Sequence, residues 1–226
     1  MNIEKFTRAL PLIFLTIGSL AHAQTQYFKD HGASISVGAT SPFEHELSSH
    51  PTTALYTIPT PAGGVIDTTV SNQHTYITDS AGFLGSFDFH PRPWAGVELN
   101  YGFNHYGRIY DFNYSAATTA QKIEIGNDVH EFTGALQFHS RRMIVQPFFN
   151  LGAGALDFDP RAASNQIRGA GLLEAGLDVP TYKGHIGFRF EGRSLFYRAP
   201  NYYQPAISTR GWRAAVEPLI STFYRF

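Results

Sequence analysis

Cysteine is absent from all 226 residues. That excludes a disulfide framework, a thiolate metal centre and a lipid-anchoring cysteine behind a leader. No sign of charge dominates: Lys and Arg number 17, Asp and Glu 18, with no basic run or stripe to engage nucleic acid. Long apolar runs are missing as well. The longest, Ala9 to Leu20, is well short of the roughly 20 residues a membrane-spanning helix needs. No sustained helical period follows it. Aromatics, in contrast, make up 15% of the chain, with 19 Phe and 12 Tyr beside 21 Gly, yet mean hydropathy is slightly negative. Such a balance suits a barrel with an apolar outside and a polar inside better than a soluble sandwich.

The amino-terminal segment is set apart from the rest. Lys5 and Arg8 form a short basic region, Ala9 to Leu20 is apolar, and Ala21-His22-Ala23 supplies small residues at the cleavage positions. Residues 1–23 are therefore expected to be a secretory signal peptide, cleaved before Gln24. Residues 24–226 are then expected to form a single β-barrel domain.

Period-2 alternation appears eight times in that domain. Ala33, Ile35, Val37 and Ala39 alternate with Ser34, Ser36 and Gly38. The second segment, Ile77 to Phe89, sets Phe83, Phe87 and Phe89 against Gly82, Ser86 and Asp88. In the third, Val97, Leu99, Tyr101 and Phe103 oppose Glu98, Asn100 and Asn104. Five later segments keep the rule, around Phe132–Phe138, Val145–Ala155, Ile167–Val179, Ile186–Phe196 and Trp212–Phe226. The connections Thr40–Tyr76 and Gly107–Asp128 are long, whereas those at His90–Pro93 and Arg141-Arg142 are tight. Long and short connections in turn predict an all-β, eight-stranded antiparallel up-and-down transmembrane β-barrel. Its long loops would lie outside the cell and both termini in the periplasm. Two prolines strain the reading. Pro147 lies near a strand start, and Pro218 lies mid-strand, where a bulge or a missing ladder hydrogen bond is expected.

These segments, the glycine-rich stretch VQPFFNLGAGAL (145–156) and the ending STFYRF together resemble the small OmpA-like and opacity-type outer-membrane β-barrels. The resemblance spans the whole mature chain. It implies residence in a bacterial outer membrane, contact with outer-membrane lipids, and barrel assembly machinery and periplasmic chaperones as partners in biogenesis. In such proteins the assembly signal is a terminal aromatic with apolar residues at alternate positions upstream. Phe226, Tyr224 and Ile220 fit it, and Thr222 is a weaker member. Nothing like the periplasmic wall-binding domain of full-length OmpA follows the last strand, so wall tethering is not expected.

The inward face carries Glu98, Glu131, Glu174, Glu191 and Glu217 with Arg168, Arg189, Arg193, Arg213 and Arg225. An eight-stranded lumen is just wide enough for side chains to fill, and an unpaired charge there costs several kcal/mol. The expectation is a salt-bridged plug in a non-enzymatic structural or surface-interaction protein, its loops open to an extracellular ligand. A narrow, porin-like passage is the alternative; a wide diffusion pore needs about 16 to 18 strands. Glu44, His45, Glu46, His50 and His74 match no metal-site spacing, and neither metal nor cofactor is expected. Some outer-membrane barrels modify lipid A. For a palmitoyltransferase the sole candidates are His74, Asp79 and Ser80; a deacylase's His-x-Ser motif is absent, and His139-Ser140 has the wrong spacing.

Overall fold

The computed structural model describes residues 32–50, 52–59, 63–114, 121–140, 144–161, 163–181 and 184–226. The leader read in residues 1–23 and the turn at Arg141-Arg142 lie outside them. The described residues form ten strands: β1 (Ala33–Thr40), β2 (Phe43–Glu46), β3 (Thr53–Pro59), β4 (Val65–Arg92), β5 (Ala95–Tyr114), β6 (Gln121–His139), β7 (Gln146–Pro160), β8 (Gln166–Pro180), β9 (Ile186–Arg198) and β10 (Trp212–Arg225). All pair antiparallel in the order β1-β10-β9-β8-β7-β6-β5-β4, and β4 returns to β1. The ring therefore has eight staves, as the alternation predicts.

Alternation decides which way each side chain points, because successive residues of a strand face opposite sides of the sheet. Ser34, Ser36, Glu98, Asn100, Arg189 and Arg193 are buried within the ring, while Ile35, Val37, Leu99, Tyr101, Phe188 and Phe190 stand exposed outside it. The outside is apolar around the circumference, with Phe83, Phe132, Leu136, Phe138, Phe149, Leu151 and Ile220 added to that set.

One expectation needs correcting, and another is met on one edge alone. The connections Thr40–Tyr76 and Gly107–Asp128 are mostly strand rather than loop. β3 pairs with Val65–Ser71, and β5 stays paired with β6 out to Phe112↔Gln121. The second stave accordingly runs from Val65 rather than Ile77. Alternation hides these extensions because outward positions there turn polar (Asp67, Thr69 and Ser71 on β4, Asp111 on β5) and no longer carry the period. Pro218 is the second case. Pairing with β9 runs unbroken through Pro218↔Gly192, so no bulge forms there. On β10's other edge the ladder stops at Thr40↔Leu219 and resumes in the same register at Phe43↔Val216. The missing rungs were expected, and they lie where Ser41-Pro42 runs beside Glu217-Pro218. Ser80 on β4 takes up the slack, its Oγ donating to the Pro42 carbonyl (2.6 Å) and its carbonyl accepting from Ser41 Oγ (2.9 Å).

Close approach within the wall depends on β7. A Cβ added at Gly154 would overlap the Phe132 carbonyl oxygen and the Thr133 Cα, both backbone atoms that cannot swing away. At Gly171 and Gly192 it would meet nothing within 4 Å. Gly154→Val is therefore expected to lower stability by about 1–3 kcal/mol, and Gly171→Ala and Gly192→Ala by far less. Urea midpoints of the refolded barrels check this; equal midpoints for all three would refute it.

Candidate functional site

Among the described residues, charged side chains of both signs converge in the ring's interior at three levels. At the level nearer the carboxyl terminus, Arg189 lies among three acids: Asp178 at 2.7 Å, Asp88 at 3.1 Å and Glu98 at 3.4 Å. Its guanidinium also sits 4.7 Å from the centre of the Phe148 ring. Asp178 is shared with Arg225 (3.5 Å), and Ser34 Oγ donates to Asp88 at 2.9 Å. This arrangement follows from register, since β8 and β9 set Asp178 directly opposite Arg189.

One level up, Arg193 faces Glu174 across the same strand pair and Glu217 across the next. It contacts Glu131 at 2.5 Å, Glu217 at 2.9 Å and Glu174 at 3.0 Å. The Arg193 side chain is completely buried. Guanidinium, with five donors in a planar fork, is suited to serving three carboxylates at once. Asn150 stitches the two levels together, its Nδ2 donating to Glu98 (2.9 Å) and Glu174 (2.8 Å). Gln137 Nε2 donates to Glu98 (2.9 Å) and Asp88 (3.2 Å), tying together two acids of the Arg189 level.

The third level is near the far end, opposite the carboxyl terminus. Arg108 contacts Glu44 at 2.7 Å; Arg213 contacts Glu44 at 3.2 Å and Glu46 at 2.5 Å. An aromatic cap of Tyr106, Tyr110, Phe112, Phe158, Tyr197 and Tyr202 surrounds it. Tyr202 is drawn inward from the β9–β10 connection, its hydroxyl donating to Asn127 Oδ1 at 2.6 Å. Between the Arg193 level and this cap the remaining cavity measures about 20 Å³, room for about one water molecule.

Eight of the ten charges expected in the lumen form ion pairs there: Glu98, Glu131, Glu174, Glu217, Arg189, Arg193, Arg213 and Arg225. Glu191 is buried but makes no ion pair among the described residues. Arg168 is not in the lumen network at all; it lies at the far-end mouth, donating to the Ala199 carbonyl and Asn201 Oδ1. Five partners escaped the expected set: Asp88, Asp178, Glu44, Glu46 and Arg108. The even-numbered inward register of β5 runs on from Glu98 through Arg108 to Phe112, and that of β1 runs on through Glu44 and Glu46. Continuing those registers past the apolar stretch would have found Glu44, Glu46 and Arg108, while Asp88 and Asp178 already stood at inward positions of the alternation.

The loop histidines do not gather. Glu44 and Glu46 turn inward to arginines while His45 is exposed on the opposite face. His74 and Ser80 stand six residues apart along β4, and Ser80 Oγ is already engaged by Pro42. A general base must lie within hydrogen-bond reach of the hydroxyl it activates, and this pair does not. Of the expected assembly signal, Ile220 and Tyr224 point outward, with Tyr224 edge-on to Phe226 at 5.3 Å.

No protein-family model matches the chain, and no curated protein matches it either. Solved structures do. The outer membrane protein OprG from Pseudomonas aeruginosa superposes with a TM-score of 0.56 at 16% identity, covering 87% of this chain and 96% of that one. Neisserial surface protein A gives 0.51 at 8% identity, covering 86% and 97%. At such identities the likeness concerns the fold, which is that of the small eight-stranded outer-membrane β-barrels.

Proposed function

We propose that the protein resides in a bacterial outer membrane as a closed, non-conducting barrel and acts through its far end, which faces the outside. The support for membrane residence is the apolar girdle around the whole circumference together with the polar, charged interior, the inverse of a soluble barrel. Support for the orientation comes from strand length. β4, β5 and β6 rise at the far end well past their neighbours, while the turn at Pro93-Trp94 on the other side is tight. The observation that carries the closed-lumen reading is Arg193, held by three glutamates at one level, with Arg189 similarly held by three acids just below. The reading involves no catalytic step. During biogenesis the strand ending in Tyr224 and Phe226 would be handled by the assembly machinery and periplasmic chaperones.

One observation favours a second reading, a narrow passage. The two lower levels hold seven carboxyl groups (Asp88, Glu98, Glu131, Glu174, Asp178, Glu191, Glu217) against three guanidinium groups (Arg189, Arg193, Arg225). Any ion crossing so acidic an interior would be a cation. Planar-bilayer recording with purified protein decides between the two. The closed reading expects no steady conductance from the wild type. A steady, cation-selective current that disappears in Glu98→Gln or Arg189→Gln would overturn it in favour of the passage.

A further inference from the structure

The far-end mouth contains a second feature, separate from the lumen pairs. The β9–β10 connection (199–211) folds over the ring's edge and leaves an open pocket of about 630 Å³, lined by Arg168, Arg198 and Arg210 together with Asn201, Tyr203 and Ser208. That is ample for a drug-sized or sugar-sized ligand. None of the three arginines meets a carboxylate within salt-bridge distance among the described residues, whereas Arg189, Arg193, Arg213 and Arg108 all do. What Arg168 does touch is uncharged: the Ala199 carbonyl at 3.4 Å and Asn201 Oδ1 at 3.3 Å. Arg198 lies over the Trp212 ring at 5.6 Å, which orients its guanidinium without neutralising it. In a protein that pairs its lumen arginines so thoroughly, three unneutralised ones around one pocket stand out.

The pocket is also built rather than left over. All three non-glycine residues with positive φ among the described residues belong to this connection: Tyr202 (46°), Tyr203 (60°) and Arg210 (47°). Left-handed backbone costs a bulky residue about 1–2 kcal/mol, so something must hold it. Gln166 Oε1 accepts from the amides of Asn201 (2.8 Å) and Tyr202 (3.0 Å), and Thr52 Oγ1 donates to the Ser208 carbonyl at 2.6 Å. Tyr202 is anchored inside the cap, while Tyr203 beside it is 72% exposed at the pocket. The strained backbone thus turns Arg210 and Tyr203 toward the same space that Arg168 and Arg198 line.

We propose that this pocket binds a ligand carrying more than one phosphate or sulfate group. Guanidinium matches such oxyanions with paired, charge-assisted hydrogen bonds, and the volume exceeds what a single inorganic anion would fill. Two sources present that chemistry at an outward-facing mouth: the phosphorylated headgroup of a surrounding glycolipid, and a soluble phosphorylated or sulfated sugar. The inference deepens the surface-interaction reading and rests on its orientation.

Calorimetric titration of the full chain in zwitterionic detergent with inositol hexakisphosphate tests the soluble arm. Flotation with phosphatidylcholine vesicles, with and without lipid A, followed by phosphate analysis of the repurified protein, tests the lipid arm. Saturable binding in either arm, weakened about tenfold or more by Arg168→Gln or Arg210→Gln, is the expected result, and the arm that responds identifies the source. Both variants should keep the heat-modifiable mobility of the wild type. Absence of binding in both arms, or binding unmoved by either substitution, overturns the proposal. A barrel that conducts yet binds the probe refutes the closed lumen alone; a silent barrel that binds neither probe refutes only this pocket.

Discussion

Replacing Arg193 by methionine is expected to destabilise the barrel by about 3–5 kcal/mol, the range seen when one partner of a buried ion pair is removed. The effect belongs at the top of that range. Loss of the guanidinium leaves Glu131, Glu174 and Glu217 facing one another in a space sealed from water. No other arginine takes its place, since Arg189 one level below is already committed to Asp88, Glu98 and Asp178. Arg193→Lys should recover only part of the loss, because an ammonium group has three donors on one atom and cannot reproduce the planar fork that reaches Glu174 through Nε and grips Glu131 through both Nη atoms. Adding Glu131→Gln, Glu174→Gln and Glu217→Gln to Arg193→Met should restore most of it. Urea titration followed by the fluorescence of the two tryptophans, with heat-modifiable mobility as a second measure, reads all of these. A methionine variant with the wild-type midpoint would refute the assignment of Arg193 as the tie across the lumen.

Glu44→Ala should have a comparable cost, about 3–5 kcal/mol, but one confined to the far end. Arg108 is fully buried and has no carboxylate partner other than Glu44 among the described residues. Arg213 would keep Glu46. Because β2 is four residues long and, among the described residues, pairs with β10 alone, the cost is relieved most cheaply by releasing β2 from the wall. Amide hydrogen exchange over residues 43–46 should accelerate while the lower staves stay protected. Replacing Glu44 and Arg108 together by methionine should restore protection, since an apolar pair in a buried site need not cost stability. Uniform protection in Glu44→Ala would mean that β2 is held by its backbone pairing alone.

These two predictions differ in how well the sequence announces them. Arg193 and its three glutamates stand on segments whose outward positions are mostly apolar (Phe132, Leu173, Ala175, Phe190, Phe196 and Val216), so their inward orientation can be read directly from alternation. Glu44 and Arg108 lie past the point where the outward positions turn polar. There the period vanishes, and the same strand looks like a loop rich in acids and histidines. Partner choice was legible nowhere. Whether Arg213 reaches Glu217 or Glu44 depends on the tilt and stagger with which the staves close, and no single stave encodes that. Arg168 illustrates the same limit: it shares a face with Glu174 and lies six residues from it, yet that distance carries it out of the lumen and into the mouth.

The interrupted ladder beside Pro42 and Pro218 has a mechanical consequence. A cylinder made from a sheet closes where its first and last strands meet, and here that join is β1 and β2 against β10. The join has two fastened lengths, seven residue pairs from Ser34 to Thr40 and four from Phe43 to Glu46. Between them is a stretch secured from the side by Ser80 rather than edge to edge. Closure can thus proceed as two separate zippings, the longer completing the cylinder and the shorter sealing its rim.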